Sequence, residues 1–344
     1  MKRKVPDRVP FCVSGFAGRA YETFKQNSGS DDPVDYFGSD VRSVGFRNPD
    51  VLPDYSKYHV NEKFPEGTSF DSHGVAYTPG SVEHFTHIVS PLRNSNELKE
   101  LMDYPLPDFT GPECFGHLKE EVEKHHKNGF AVSGGMECTL FEWAWQIRGM
   151  EEFLADLCTR PEWAEVLVDK WFKARLFMIE KIAAAGADII RTGDDVGMQT
   201  GMMISPGIWR KIFKPRMAKL VSKAKSINKD ILIFYHSDGN IEKIIPDLIE
   251  IGIDILNPVQ PECLDPVKMK KLYGDKLSFW GTIGTQSTMP FGTVTDVRNT
   301  VKARIKTCGQ NGGLLLAPTH VLEPEVPWEN IVAFVEAVKE YGKY

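Results

Sequence analysis

The strongest constraint on this chain is an alternation that runs from about residue 129 to its end. Short apolar runs are each followed by a helix-length amphipathic segment. The runs are 130–133, 187–191, 231–235, 254–256, 277–280 and 314–317. Within segment 161–185, Trp163, Val166, Leu167, Trp171, Leu176 and Ile179 recur at helical spacing. Pro327 stands just ahead of segment 328–341, a helix-start signal. Apolar strands joined through helices make a parallel sheet, because parallel neighbours need a crossover connection. Six such strands, with one or two more from residues 9–14 and a less obvious place, predict a single (β/α)8 TIM barrel over residues 1–344. A doubly wound sheet is the competing α/β architecture. No GxGxxG follows any strand, which counts against its dinucleotide-binding form.

The first hundred residues read differently, being rich in Pro, Gly, Asp and aromatics. Residues 9–13 and 41–46 are short strand-like runs, and 68–77 (TSFDSHGVAY) reads as a hairpin. No Gly/Ser or charged linker marks a boundary. Residues 1–128 are therefore read as an elaborated N-terminal portion packed over the barrel, and 129–344 as its regular units. A hydrophobic fraction of 42% in 344 residues is enough for a large core. The net charge of −6 excludes the clustered basic footprint of a nucleic-acid binder. No stretch approaches the ~18 apolar residues of a membrane span. The six cysteines include no CxxC pair, and the start MKRKVPDRVPF has no apolar leader core, so a reducing cytoplasm is expected.

In an α/β barrel, function gathers at the carboxyl ends of the strands. Glu137 follows the first regular run, Asp194 and Asp195 the second, and His236 and Asp238 the third. Asn257 and Gln260 follow the fourth, Thr282 the fifth, and Thr319 and His320 the last. Each has a plain alternative. Asp194–Asp195 also reads as a helix cap beside a solvated charge, Asn257 and Gln260 as turn residues, and His236 as a hydrogen-bonded core histidine. His236 and Asp238, two apart in extended chain, point to one side. With His320 they form an N, O, N set suited to zinc or another borderline divalent ion. Trp143, Trp145, Met198, Met202 and Met203 belong either to the cores of the following helices or to an apolar mouth for a planar ligand. His125 and His126, in EEVEKHHK, read as surface.

Several segments carry a further signal. They are Asp7-Arg8-Val9-Pro10, Gly15-Phe16-Ala17-Gly18-Arg19, residues 35–40 (DYFGSD), Gly186-Ala187-Asp188, Ser205-Pro206 and Tyr235-His236. Gly281-Thr282, Leu316-Ala317-Pro318 and Pro327-Trp328-Glu329-Asn330 complete the set. Together these make the chain resemble, over nearly its whole length, the uroporphyrinogen decarboxylase superfamily, which includes cobalamin-dependent methyltransferases. In that resemblance Asp40 matches the decarboxylase's essential aspartate. Two departures matter. The decarboxylase's RQAGR segment is GFAGR here, which leaves Arg19 with Phe16 beside the gap. A porphyrinogen with eight carboxylates needs several cationic partners, so it is a poor substrate for this chain. The thiol-methylating branch binds zinc through His-x-Cys and a distant Cys; His236 matches the histidine, while Asp238 and His320 stand at the cysteine positions.

The resemblance implies a methyltransferase that moves a methyl group between a small donor, such as a methoxylated aromatic, and a corrinoid (cobalamin) on a partner protein. This is the O-demethylation chemistry of anaerobes. Zinc on His236, Asp238 and His320 would act as a Lewis acid. Asp194, Asp195 or Glu137 would add a ligand or a general acid/base. Phe16, Arg19, Trp143, Met198, Asn257 and Gln260 would line the substrate site. Two alternatives stay open: a metal-free decarboxylase of a smaller substrate using Asp40 and Arg19, and a non-catalytic tetrapyrrole- or corrinoid-binding relative. A homodimer is also left open.

Overall fold

The structure, a computed structural model, describes residues 1–13, 15–81 and 86–344. Ser14, the last residue of one expected strand, lies outside the described residues. The described strands are β1 (Val41–Val44), β2 (Ser69–Phe70), β3 (Ala76–Pro79), β4 (Thr86–Val89) and β5 (Ala131–Gly135). They continue with β6 (Ile189–Gly193), β7 (Leu232–His236), β8 (Ile255–Asn257), β9 (Ser278–Ile283) and β10 (Leu314–Pro318).

Seven of them form one curled sheet in the order β1-β5-β6-β7-β8-β9-β10, with every neighbouring pair parallel. Helices fill the crossovers; the longest, Pro161–Ala184, leads into β6, and Trp328–Tyr341 follows β10. Both faces of the strands are covered, which explains their near-continuous apolarity. Ile189, Phe234, Ile255, Trp280 and Leu315 point into the curl. Their neighbours Ile190, Ile233, Leu256, Phe279 and Leu316 point out against the helices.

The regular sheet has seven strands rather than the expected eight. The remaining place is held by residues 9–13. Leu316 donates its N–H to the Pro10 carbonyl at 2.9 Å, and Cys12 donates to Leu316 at 2.9 Å. On the other side Asp40 donates to the Phe11 carbonyl at 3.0 Å. This extended segment thus joins the two edges, β10 and β1. It pairs through one isolated bridge, Phe11 with Leu316. Pro10 has no N–H for a ladder, so a regular strand cannot form around it.

The strands also run further than their apolar runs. β6, β7 and β8 end on Gly193, His236 and Asn257, so these mouth residues sit in the ladder itself. Backbone pairing continues past the last apolar side chain because buried N–H and C=O groups still need partners.

The 68–77 hairpin forms as β2 and β3, and β4 adds a third antiparallel strand. Asp71 closes its turn by accepting the N–H groups of His73 and Val75, both at 2.9 Å. The turn sets His73 against Trp143 and Trp171, with ring centroids 4.1 and 4.8 Å away. No helix among the described residues is long and apolar enough to cross a membrane.

Candidate active site

The carboxyl ends of β6 and β7 approach closely. Gly193 has φ 133, and a Cβ there would lie 2.1 Å from the His236 carbonyl oxygen. Only glycine fits both the conformation and the space. The adjacent aspartates then diverge. Asp194 is buried, and its carboxylate accepts the N–H groups of Leu140 at 2.9 Å and Glu142 at 3.1 Å. It caps helix Phe141–Arg148 from outside that helix's own sequence. Burial and then Glu142 push its carboxyl up, against the pull of the backbone donors. Asp194 therefore supplies a cap, not the ligand or acid/base expected for it.

Asp195 turns the other way. Its carboxylate accepts the Asp238 N–H at 2.7 Å and lies 3.4 Å from His236 Nε2. Its own N–H donates to Glu142 Oε2 at 2.9 Å. Asp238 Oδ1 is 3.9 Å from the same imidazole nitrogen. Ligand atoms of Asp195, His236 and Asp238 all fall within 4.8 Å of one another. His320 is outside this trio, but its Nε2 is 4.0 Å from Asp238 Oδ2.

The imidazole is oriented from behind. Asn257 Nδ2 donates to the Trp280 carbonyl at 2.8 Å, so its Oδ1 faces His236 Nδ1. An amide oxygen only accepts, so Nδ1 carries a proton, and in the neutral imidazole it is Nε2 that presents a lone pair on the side of the two aspartates. Asn257 thus supports His236 and also lines the cavity beside it.

The electrostatics favour a cation. Burial would lower the His236 pKa, but Asp195, Asp238 and Asn257 outweigh it and hold it above the ordinary value. Burial pushes Asp238 up, with Asp195 adding to it and His236 and His320 opposing. Burial, then Asp195, pushes Glu142 up. Asp238 Oδ1 is buried with no hydrogen-bond donor. Crowded carboxylates, one orphaned oxygen and an imidazole with a free lone pair form a set that a divalent ion fits.

A cavity of about 390 Å³ opens beside this trio. Asp195, His236, His320 and Glu137 line it, with Phe234 and Trp280 crossing edge-to-face at 5.3 Å. Several of its polar lining residues were not singled out from the sequence, Glu142, Cys138 and Arg191 among them. Arg191 left a signal, a charge directly after the apolar pair Ile189 and Ile190 within a strand. Glu142 stands in the first turn of helix Phe141–Arg148, where an acidic residue ordinarily serves the helix dipole, so its type and position alone do not mark it. Arg175 reaches from helix Pro161–Ala184 to the carbonyls of Glu137, Cys138 and Thr139 and holds this loop.

Other expected residues lie elsewhere. Asp40 precedes β1, at the amino end of the sheet, where its carboxylate takes Arg8 and the Phe11 N–H. Phe16 packs on Phe24 and Phe37, Arg19 opens helix Arg19–Ser28, and Trp143 packs on His73 and Trp171. Met198 is an exposed turn residue. Gln260 accepts the Gly239 N–H and lines a neighbouring cavity with Asp238 and His320. None of these lines the main cavity.

The sequence profile of the uroporphyrinogen decarboxylase (URO-D) family matches residues 75–341. The chain belongs to this family. Phe16, Arg19 and Asp40 fall outside the matched stretch. The chain is 27% identical over 212 residues to the methylcobamide:CoM methyltransferase MtaA of Methanosarcina barkeri, covering 61% of this chain and 58% of that one. It thus spans under two-thirds of that relative's length. It is 22% identical over 288 residues to a uroporphyrinogen decarboxylase of Coxiella burnetii, covering 81% and 74% of the two chains. A solved methyltransferase from Methanosarcina mazei, 19% identical, superposes with a TM-score of 0.69 over 99% of this chain and 96% of its own. At that identity the match speaks for the fold alone: a curled α/β barrel-type sheet with helices outside.

Proposed function

We propose that this chain is a methyltransferase that moves a methyl group between a small donor and a corrinoid carried by a partner protein. Zinc would be held by Asp195, His236 and Asp238 at the mouth of a (β/α)8-type barrel, in a reducing cytoplasm. The observation that carries this reading is the convergence of those three side chains around an orphaned carboxylate oxygen. Likeness to a methylcobamide:CoM methyltransferase supports it.

Bound there, zinc would supply Lewis acidity to the heteroatom that gives up or takes the methyl group. The chain's own residues do the rest. Asn257 fixes the tautomer of His236. The Asp238 N–H and Glu142 hold Asp195 in line. His320, beside Asp238, is the remaining candidate ligand. Phe234 and Trp280 keep water from the inner wall of the cavity. The two carboxylates carry the same charge as two thiolates. Their hard oxygens donate less electron density, which suits an ether or alcohol donor better than a thiol. The metal-free decarboxylase finds no support here, because Asp40 is engaged by Arg8 at the far end of the sheet.

The test is elemental analysis and turnover. About one zinc per chain is expected, lost in His236→Ala. Free cob(I)alamin with a methoxylated aromatic should yield methylcobalamin, read from its visible spectrum. Fully active metal-free protein would overturn the proposal. Zinc and corrinoid binding without turnover would identify a non-catalytic relative.

A further inference from the structure

Glu137 and Arg191 face each other on the wall of the same cavity, with Arg191 Nε 3.0 Å from Glu137 Oε1. Neither touches the metal-ligand trio. Gly135 makes room for both: a Cβ there would come within 3.1 Å of Arg191 Nη2 and 3.2 Å of Glu137 Oε2. Arg191 Nε is itself buried without a well-aligned acceptor.

The pair shares the cavity wall with Asp195 and His236. Arg191 registers with Phe234, two residues before the level of Gly193 and His236, and Glu137 follows the end of β5. A ring seated in this cavity meets the pair and these two trio residues together. Phe234, Trp280 and the wall beside them offer faces for such a ring.

Charge decides which substituent the pair accepts. Arg191 is the only Lys or Arg lining this cavity among the described residues, against Glu137, Glu142 and Asp195. Glu137 already neutralises it. A carboxylate on the ligand would therefore enter a site with no uncompensated cation and would have to displace Glu137. A hydroxyl or amide, by contrast, donates to Glu137 and accepts from Arg191 at once.

Building on the methyltransferase reading, we infer that the Glu137–Arg191 pair selects an uncharged ring ligand. That ligand bears a hydroxyl or amide in addition to its methylated heteroatom, and ring carboxylates are rejected.

The experiment is calorimetric binding of 4-methoxyphenol and 4-methoxybenzoate to the zinc-supplemented protein. The phenol should bind at least about tenfold more tightly. Glu137→Gln, close to isosteric, frees Arg191 and should shift the ratio towards the benzoate by at least about tenfold. Arg191→Met should weaken the phenol and abolish benzoate binding. A wild-type preference for the benzoate overturns the inference. So does an unchanged ratio in Glu137→Gln at unchanged Tm, or failure of both compounds to bind at millimolar concentration. Zinc binding and methyl transfer without phenol selection defeat this inference alone. Phenol selection without zinc or methyl transfer defeats the methyltransferase reading alone.

Discussion

Asp194 caps a helix, while its neighbour Asp195 faces the imidazole of His236. Successive side chains leaving a strand point to opposite faces, so adjacent aspartates must meet different surroundings. The roles separate by mutation. Asp194→Ala strands two buried N–H groups and should cost about 1–3 kcal/mol for each, read as a fall in Tm, with zinc stoichiometry retained. Asp195→Ala should do the reverse, weakening zinc while leaving Tm of the metal-free protein nearly unchanged. Asn257 acts one step further back. Asn257→Leu frees the His236 ring and should weaken zinc about 10–100-fold in a chelator competition. Asn257→Asp keeps an acceptor towards Nδ1 and should recover part of the loss. Equal zinc affinity in all three proteins would refute the positioning role.

At the scale of elements, the site depends on how closely β6 and β7 meet. Gly193→Ala places a Cβ against the His236 backbone and strains a φ of 133. The strands must part, so stability should fall by about 3 kcal/mol or more and zinc binding should be lost with it. A folded, zinc-binding Gly193→Ala protein would show that the approach is not required. The join at residues 9–13 follows the same logic. Pro10 prevents a regular ladder, and the Arg8–Asp40 pair and the Phe11 N–H to Asp40 contact tie that segment to the start of β1.

Across the whole molecule, charge sets both the ligand and the pH response. His236 is held above the ordinary histidine pKa in the metal-free protein. Its raised value stabilises the protonated, metal-free fold at low pH, and that contribution fades as pH rises through the raised pKa. Zinc takes the neutral imidazole, so its affinity should climb over the same window and plateau above it. An affinity independent of pH between 6 and 9, a span of roughly three units around the usual histidine value, would contradict this. The main cavity carries one permanent cation, already paired. Uroporphyrinogen should therefore not be converted, and chromatographic detection of coproporphyrinogen would reverse that view. Asp40→Asn should lower Tm through its contacts at the sheet closure while leaving methyl transfer close to wild type.

The alternation of apolar runs and amphipathic helices determined a parallel α/β sheet, because parallel neighbours need a crossover connection, while the choice between a barrel and a doubly wound order came from the structure. The residue-pair His236–Asp238 was also legible, since spacing by two puts both side chains on one side of extended chain. Three features needed the tertiary structure. Which aspartate of Asp194–Asp195 faces the imidazole depended on where a helix beginning some fifty residues earlier presents its unpaired N–H groups. That Asn257 supports His236 depended on the register of β7 with β8. That Asp40 lies far from the mouth depended on β1 starting just after it rather than ending there. Local sequence carries side-chain periodicity; it does not carry the strand register, or the partners brought from distant segments, that give each polar group its role.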